Sequence, residues 1–142
     1  MVIQEVILMA KYVFPAIFTQ EDKGYSIAFP DLEGCYTQGD DLQDGYDMGQ
    51  DALCLVLYDM EENKKDIPKP SDPKTIKVDS NSFVSLISCD TLEYRKFYDN
   101  KAVKKTLSIP SWLNKMAESN GINFSATLQG ALKQQLHIDD RM

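Results

Sequence analysis

Two kinds of hydrophobic periodicity divide the chain. Tyr25-Ser26-Ile27-Ala28-Phe29 alternates apolar and polar positions with period two, which puts Tyr25, Ile27 and Phe29 on one face of a strand. The aromatic and branched segment from Lys11 to Phe18 precedes it, separated by the turn signal Glu21-Asp22-Lys23-Gly24, so the pair reads as a hairpin. Pro30 and Gly34 punctuate the exit, and Cys35-Tyr36-Thr37-Gln38 reads as a third short strand. Behind the break Gly39-Asp40-Asp41 the period changes: Leu42, Tyr46, Gly49, Leu53, Val56, Leu57 and Met60 recur at steps of three and four, the pattern of an amphipathic helix over 42–60 that covers the sheet. Gly45 and Gly49 each weaken a helix by about 1 kcal/mol relative to Ala, which points to close approach of this helix to the sheet beneath. The proline-rich run Pro68–Pro73 is an extended connector, Thr75–Val78 and Phe83–Ser88 read as strands, and Asp90-Thr91-Leu92-Glu93 has capping-box spacing for a short helix through Tyr98.

A different order begins near Lys101. In Val103-Lys104-Lys105-Thr106-Leu107-Ser108-Ile109 the residues Val103, Lys105, Leu107 and Ile109 share one face, and Lys104, Thr106 and Ser108 share the other. Pro110 ends this strand and opens a helix whose apolar stripe is Trp112, Leu113, Met116 and Ala117, with a stop at Asn120-Gly121. Asn123 caps a second helix carrying Phe124, Leu128, Ala131, Leu132 and Leu136. One strand with two short helices cannot enclose a core, and the strand lacks a local partner for its backbone groups. Pairing with a symmetry mate answers both needs, with Leu107, Ile109, Trp112, Leu113, Met116, Leu128 and Leu132 as the expected dimer core. The resulting two-stranded ribbon fits the major groove of DNA, where Lys104, Thr106 and Ser108 would face base edges. Lys101 and Lys105, with the helix start at Asn123, Phe124 and Ser125, are the candidate phosphate contacts.

Charge sharpens the division. The 142 residues carry a net −7, but residues 1–100 hold nine Lys and Arg against nineteen Asp and Glu, a net −10, whereas residues 101–142 hold six against three, a net +3. An acidic body suits a basic protein partner, and a basic tail collects phosphates. Cys35, Cys54 and Cys89 with the single His137 resemble neither a disulfide framework nor a zinc site, no membrane-length apolar run occurs, and the expected compartment is the cytoplasm. Met9 is an alternative start to Met1.

Thr106-Leu107-Ser108-Ile109-Pro110 followed by Asn120-Gly121-Ile122-Asn123-Phe124-Ser125 resembles the ribbon-helix-helix repressors, with Phe124 standing where such families often have a basic residue. The stretch from Gly24 to Asp40, the helix behind it, Phe83-Val84-Ser85-Leu86-Ile87 and the junction from Asp99 to Lys105 together resemble the HicB antitoxins. That resemblance implies an α+β fold: an N-terminal degenerate ribonuclease-H-like sheet covered by a helix over residues 1–100, and a C-terminal dimerising ribbon-helix-helix module over residues 101–142. It also implies a non-enzymatic protein without cofactor or metal, which neutralises a HicA-type ribonuclease toxin and as a homodimer represses its own operon by binding operator DNA.

A reading of another class is a metal-dependent nuclease that dimerises through its tail. Such chemistry needs carboxylates converging on metal ions, and Asp31, Asp40, Asp41 and Asp44 are the available acids. Their positions in turns and at a helix start are explained by capping and by solubilising charge. His137, beyond the last helix, reads as a solvated helix-end residue.

Overall fold

The structure is a computed structural model that describes residues 11–138; the choice between Met1 and Met9 lies outside the described residues. The described chain divides into two compact units, residues 11–100 and residues 101–138.

In the first unit, β1 (Lys11–Gln20), β2 (Tyr25–Ala28), β3 (Tyr36–Gly39) and β4 (Ser82–Asp90) form one antiparallel sheet in the order β3-β2-β1-β4. The β1–β2 turn closes with Glu21 N donating to Gly24 O at 3.0 Å, and Gly24 takes the left-handed φ of 80° that this turn requires. Pro15 lies inside β1, opposite Leu86 of β4. The ladder to β2 begins only at Ile17, so β1 has a bonded partner on one side at this point, and the missing N–H can face the other.

Helix α1 (Leu42–Glu62) starts where the sequence places its cap: the Asp41 carboxylate accepts from Asp44 N at 2.8 Å. It lies across the sheet face formed by Phe14, Ala16, Phe18, Ile27 and Ile87, and Leu53 and Leu57 complete this fully enclosed core. The two glycines serve as expected. A methyl group at Gly45 would lie 3.3 Å from Ile27 Cδ1, and one at Gly49 only 2.8 Å from Ile87 Cδ1, so this face of α1 is in near contact with the sheet.

The expected strand at Thr75–Val78 is not formed. Asp72 instead nucleates a short 3-10 turn over Pro73–Thr75, its carboxylate accepting from Lys74 N at 2.9 Å and its carbonyl from Thr75 Oγ1 at 2.7 Å. Local Asx-type capping wins over β-propensity here, because Asp72-Pro73 presets the turn. Further along, α2 (Thr91–Tyr98) follows β4 directly, with the Asp90 carboxylate capping Leu92 N and Glu93 N.

The second unit contains α3 (Ser111–Ser119) and α4 (Phe124–Gln135). Pro110 occupies the position before α3, with Asn114 N donating to its carbonyl at 3.0 Å. The link between the helices turns at Gly121, φ 65°, and the Asn123 side chain caps α4 by accepting from Ala126 N at 3.0 Å. Residues 101–110 carry no helix and no ladder within the single chain.

Candidate functional site

The second unit is notable for what it fails to bury. Among residues 101–138 none is buried, and the apolar stripes of both helices face outward. Leu107 and Trp112 are each 64% exposed and Met116 58%, with Ile109, Leu113 and Leu132 also exposed and Leu128 half-buried. Such an accumulation is large for so short a segment. Six of the seven residues expected in a dimer core are thus exposed within one chain, and Leu128 is half-buried.

The expected DNA-contacting residues lie in the same unit. Lys101, Lys104, Lys105, Thr106 and Ser108 are exposed along the irregular segment that precedes α3. Asn123, Phe124 and Ser125 form the exposed start of α4, where the first-turn N–H groups point out of the helix. Asn123 spends its side-chain oxygen on Ala126 N, so its cap role is established within the helix itself. His137 is exposed just past the end of α4.

In the first unit three of the four carboxylates that raised the nuclease alternative, those of Asp31, Asp41 and Asp44, are occupied locally. Asp31 accepts from Ser71 N at 2.9 Å and from the Ser71 hydroxyl, clasping the connector to the loop after β2. Asp41 caps α1, and Asp44 accepts from Asp40 N at 2.8 Å. Among the described residues no group of three or more His, Cys, Asp or Glu side chains is arranged to hold a metal ion.

Sequence reasoning missed the polar cluster that ties α1 to α2. Glu61, whose side chain is 7% exposed, accepts from Tyr12 OH at 2.7 Å, Thr91 Oγ1 at 2.9 Å and Arg95 Nη1 at 3.0 Å. Arg95 forks to Glu62 at 2.9 Å and sits 4.7 Å from the centre of the Tyr58 ring. Burial, and then the hydrogen bond to Glu61, holds the Tyr12 hydroxyl protonated well above its ordinary range. For Arg95, burial opposes the charged form, but its bonds to Glu61 and Glu62 outweigh this and raise its basicity. Beside the cluster an aromatic chain runs from Tyr58 to Tyr94 to Tyr98 to Phe97, in tilted and edge-on contacts, with Phe97 and Tyr98 largely exposed. Tyr12, Thr91 and Arg95 lie 30 to 49 residues from Glu61 along the chain, so no local pattern announces their meeting.

Two clefts open on this unit. One, about 540 Å³, runs between the loop after β2 and the second half of α1, past Asp31, Glu33, Leu55 and Asp59. The other, about 450 Å³, lies between α1 and the start of α2 and is lined by Asp47, Asp51, Asp90 and Glu93 together with Gln50, Cys54 and Tyr94. The second is the more acidic, and among the described residues its lining holds no basic one.

Taken together, these features define a two-part protein: an acidic α+β body, and a small helix pair whose apolar surface is left uncovered. Residues 14–131 match the HicB_like antitoxin family of bacterial toxin-antitoxin systems, and the chain belongs to that family. It is 33% identical over 58 residues to antitoxin HicB 2 of Photorhabdus laumondii, a match that covers 41% of this chain and only 42% of that relative. Among solved structures it is similar to a chain of a toxin-antitoxin complex from Streptococcus pneumoniae, at 30% identity and a TM-score of 0.58, over 88% of this chain and 99% of that one. The fold is also that of the Burkholderia pseudomallei antitoxin HicB, at 21% identity and a TM-score of 0.50, over 85% and 96% of the two chains. Among the described residues no helix is long and apolar enough to cross a membrane.

Proposed function

We propose that this chain neutralises a small basic ribonuclease toxin of the HicA type through its acidic body, and represses its own operon by binding operator DNA as a dimer through residues 101–138. The chain is then a binding protein and not a catalyst. Membership of an antitoxin family supports the first part, as does the 30% identity to a chain of a toxin-antitoxin complex. The excess of nineteen acidic over nine basic residues in residues 1–100 gives a field that attracts a basic partner and speeds its docking.

The observation that carries the second part is the absence of any buried residue in the described part of the second unit. Two helices of nine and twelve residues are too short to persist on propensity alone. Apposing a second copy would pair residues 103–109 into an antiparallel ribbon, enclose Leu107, Ile109, Trp112, Leu113, Met116, Leu128 and Leu132, and leave Lys104, Thr106 and Ser108 pointing out of the ribbon. Lys can donate to guanine O6 and N7, and Thr and Ser can donate or accept at several base edges. Lys101, Lys105 and the start of α4 at Asn123, Phe124 and Ser125 would hold the flanking phosphates.

The test has three parts. Light scattering on the purified chain should give a dimer at micromolar concentration, and Leu113→Glu with Met116→Glu should give monomers. Replacing Lys104, Thr106 or Ser108 by Ala should each weaken operator binding by about 1–3 kcal/mol while leaving random DNA little affected and toxin binding intact. A monomeric wild-type chain, or equal losses on specific and random DNA, would refute the ribbon reading.

A further inference from the structure

Cys54 of α1 and Cys89 of β4 are core residues 8% and 3% exposed, and both are free thiols. The helix advances along this strand in a fixed register. The site of a Gly49 methyl faces Ile87, and Gln50 Nε2 donates to the Ser88 carbonyl at 2.9 Å. One turn further on, the next pair in this sequence is Cys54 with Cys89. Both belong to one core cluster, Cys54 lines the same cleft as Asp90, the residue after Cys89, and each of the two thiols is the leading influence on the other's ionisation. Cys54 in addition lines the cleft between α1 and the start of α2, whereas Cys89 is not among the described residues that line it and is the more buried of the two.

We propose that Cys54 and Cys89 are an oxidisable dithiol, which a small hydroperoxide entering this cleft converts into an intramolecular disulfide joining α1 to β4. Buried cysteines ordinarily serve as small apolar fillers, and Cys35 is one: burial alone pushes its thiol up to about 11. The pair differs through the closeness of its two thiols and its order of access. Hydrogen bonding from Cys89, and then from the Asp90 backbone, favours the Cys54 thiolate over burial and over the nearby Asp51 and Asp90 carboxylates, whereas hydrogen bonding toward Cys54 and burial hold Cys89 as the protonated partner.

The chemistry closes without a further reagent. The Cys54 thiolate attacks one oxygen of hydrogen peroxide, the O–O bond breaks, and the departing hydroxide takes up a proton to leave as water. The resulting Cys54 sulfenic acid is then attacked by the Cys89 sulfur, which gives up its proton as the S–S bond forms and the second hydroxide leaves as water. Each sulfur loses one electron, and the peroxide accepts both. The product ties the helix to the strand across residues distant in sequence, at the cleft that presents the body's acidic side chains.

The experiment uses the folded, full-length chain, reduced and freed of reductant. It is titrated with hydrogen peroxide, quenched with an alkylating reagent and analysed by intact mass and peptide mapping. The expected product is lighter by about 2 Da before alkylation, contains a Cys54–Cys89 crosslinked peptide, keeps Cys35 alkylatable and reverts with dithiothreitol. Cys35→Ala should retain the crosslink, and Cys54→Ser should abolish it. The wild-type map decides the matter if a serine variant does not fold. A sulfinic acid on Cys54 without crosslink, a disulfide that involves Cys35 or a second chain, or thiols that stay reduced until the chain unfolds would each overturn the assignment.

Discussion

Glu61 offers the sharpest test of how the body is held together. Its nearly buried carboxylate receives Tyr12, Thr91 and Arg95, which come from β1 and α2, so it links three elements through one group. Replacement by Gln keeps the volume and still satisfies the donors in part: the amide oxygen can face Arg95 and the hydroxyls can rotate to accept from the NH₂. What is lost is the charge. A charge-assisted bond contributes about 1.5–3 kcal/mol, and Arg95, whose side chain is 30% exposed and keeps Glu62, recovers some of it from water. Glu61→Gln should therefore cost about 1–2 kcal/mol. Glu61→Ala removes the acceptor as well and leaves Arg95 Nη1 and the Tyr12 and Thr91 hydroxyls without it beside a void, for a total of about 2–4 kcal/mol. Glu62, 51% exposed, is the internal control, and Glu62→Gln should cost under about 0.5 kcal/mol. Urea unfolding followed by far-UV circular dichroism reads these as midpoint shifts at constant slope, about 1–2 M downward for the alanine variant. If Glu61→Ala unfolded within about 0.5 kcal/mol of the parent, the cluster would not be what fastens α2 to α1.

The Tyr12 hydroxyl, held protonated in the fold, should favour the folded state fully below its unfolded value of about 10 and lose that contribution as pH rises further. The stability gap between the parent and Tyr12→Phe should therefore be constant at neutral pH and narrow above about pH 10, and a gap flat through pH 11 would contradict this. Gly49→Ala gains about 1 kcal/mol in helix propensity but forces a methyl to within 2.8 Å of Ile87 Cδ1 in a closed core, so it should be neutral to about 2 kcal/mol destabilising in urea titration. Gly130→Ala on α4 meets nothing within 4 Å and should raise the helicity of that segment, by a gain of about 0.5–1 kcal/mol. Asn123→Ala removes the cap on Ala126 N and should cost about 1 kcal/mol in thermal unfolding of the second unit.

The amino-acid sequence by itself determined every element whose signal is local. Period-two alternation gave β2, the three-and-four spacing with Asp41 gave α1, Asp90 gave the cap of α2, and Pro110, Gly121 and Asn123 gave the bounds of α3 and α4. These are short-range matters of capping, φ preference and one-face burial, and nearest neighbours decide them. The same local reading went wrong at Thr75–Val78, where a capped turn after Asp72 outcompeted a plausible strand. The candidate DNA-contacting and dimer residues were likewise named from the string alone, from apolar stripes and clustered lysines.

Tertiary structure alone decided which distant residues meet. The pairing of β4 with β1, the Glu61 cluster, the Asp31–Ser71 clasp and the neighbouring of Cys54 and Cys89 join positions 30 or more residues apart. No periodicity records such a meeting, since it depends on how α1 crosses the sheet, and that is set by side-chain volumes at Gly45, Gly49 and the facing isoleucines. Cysteines that look scattered in the sequence thus become neighbours only once a helix and a strand are pressed together by a core they do not themselves specify.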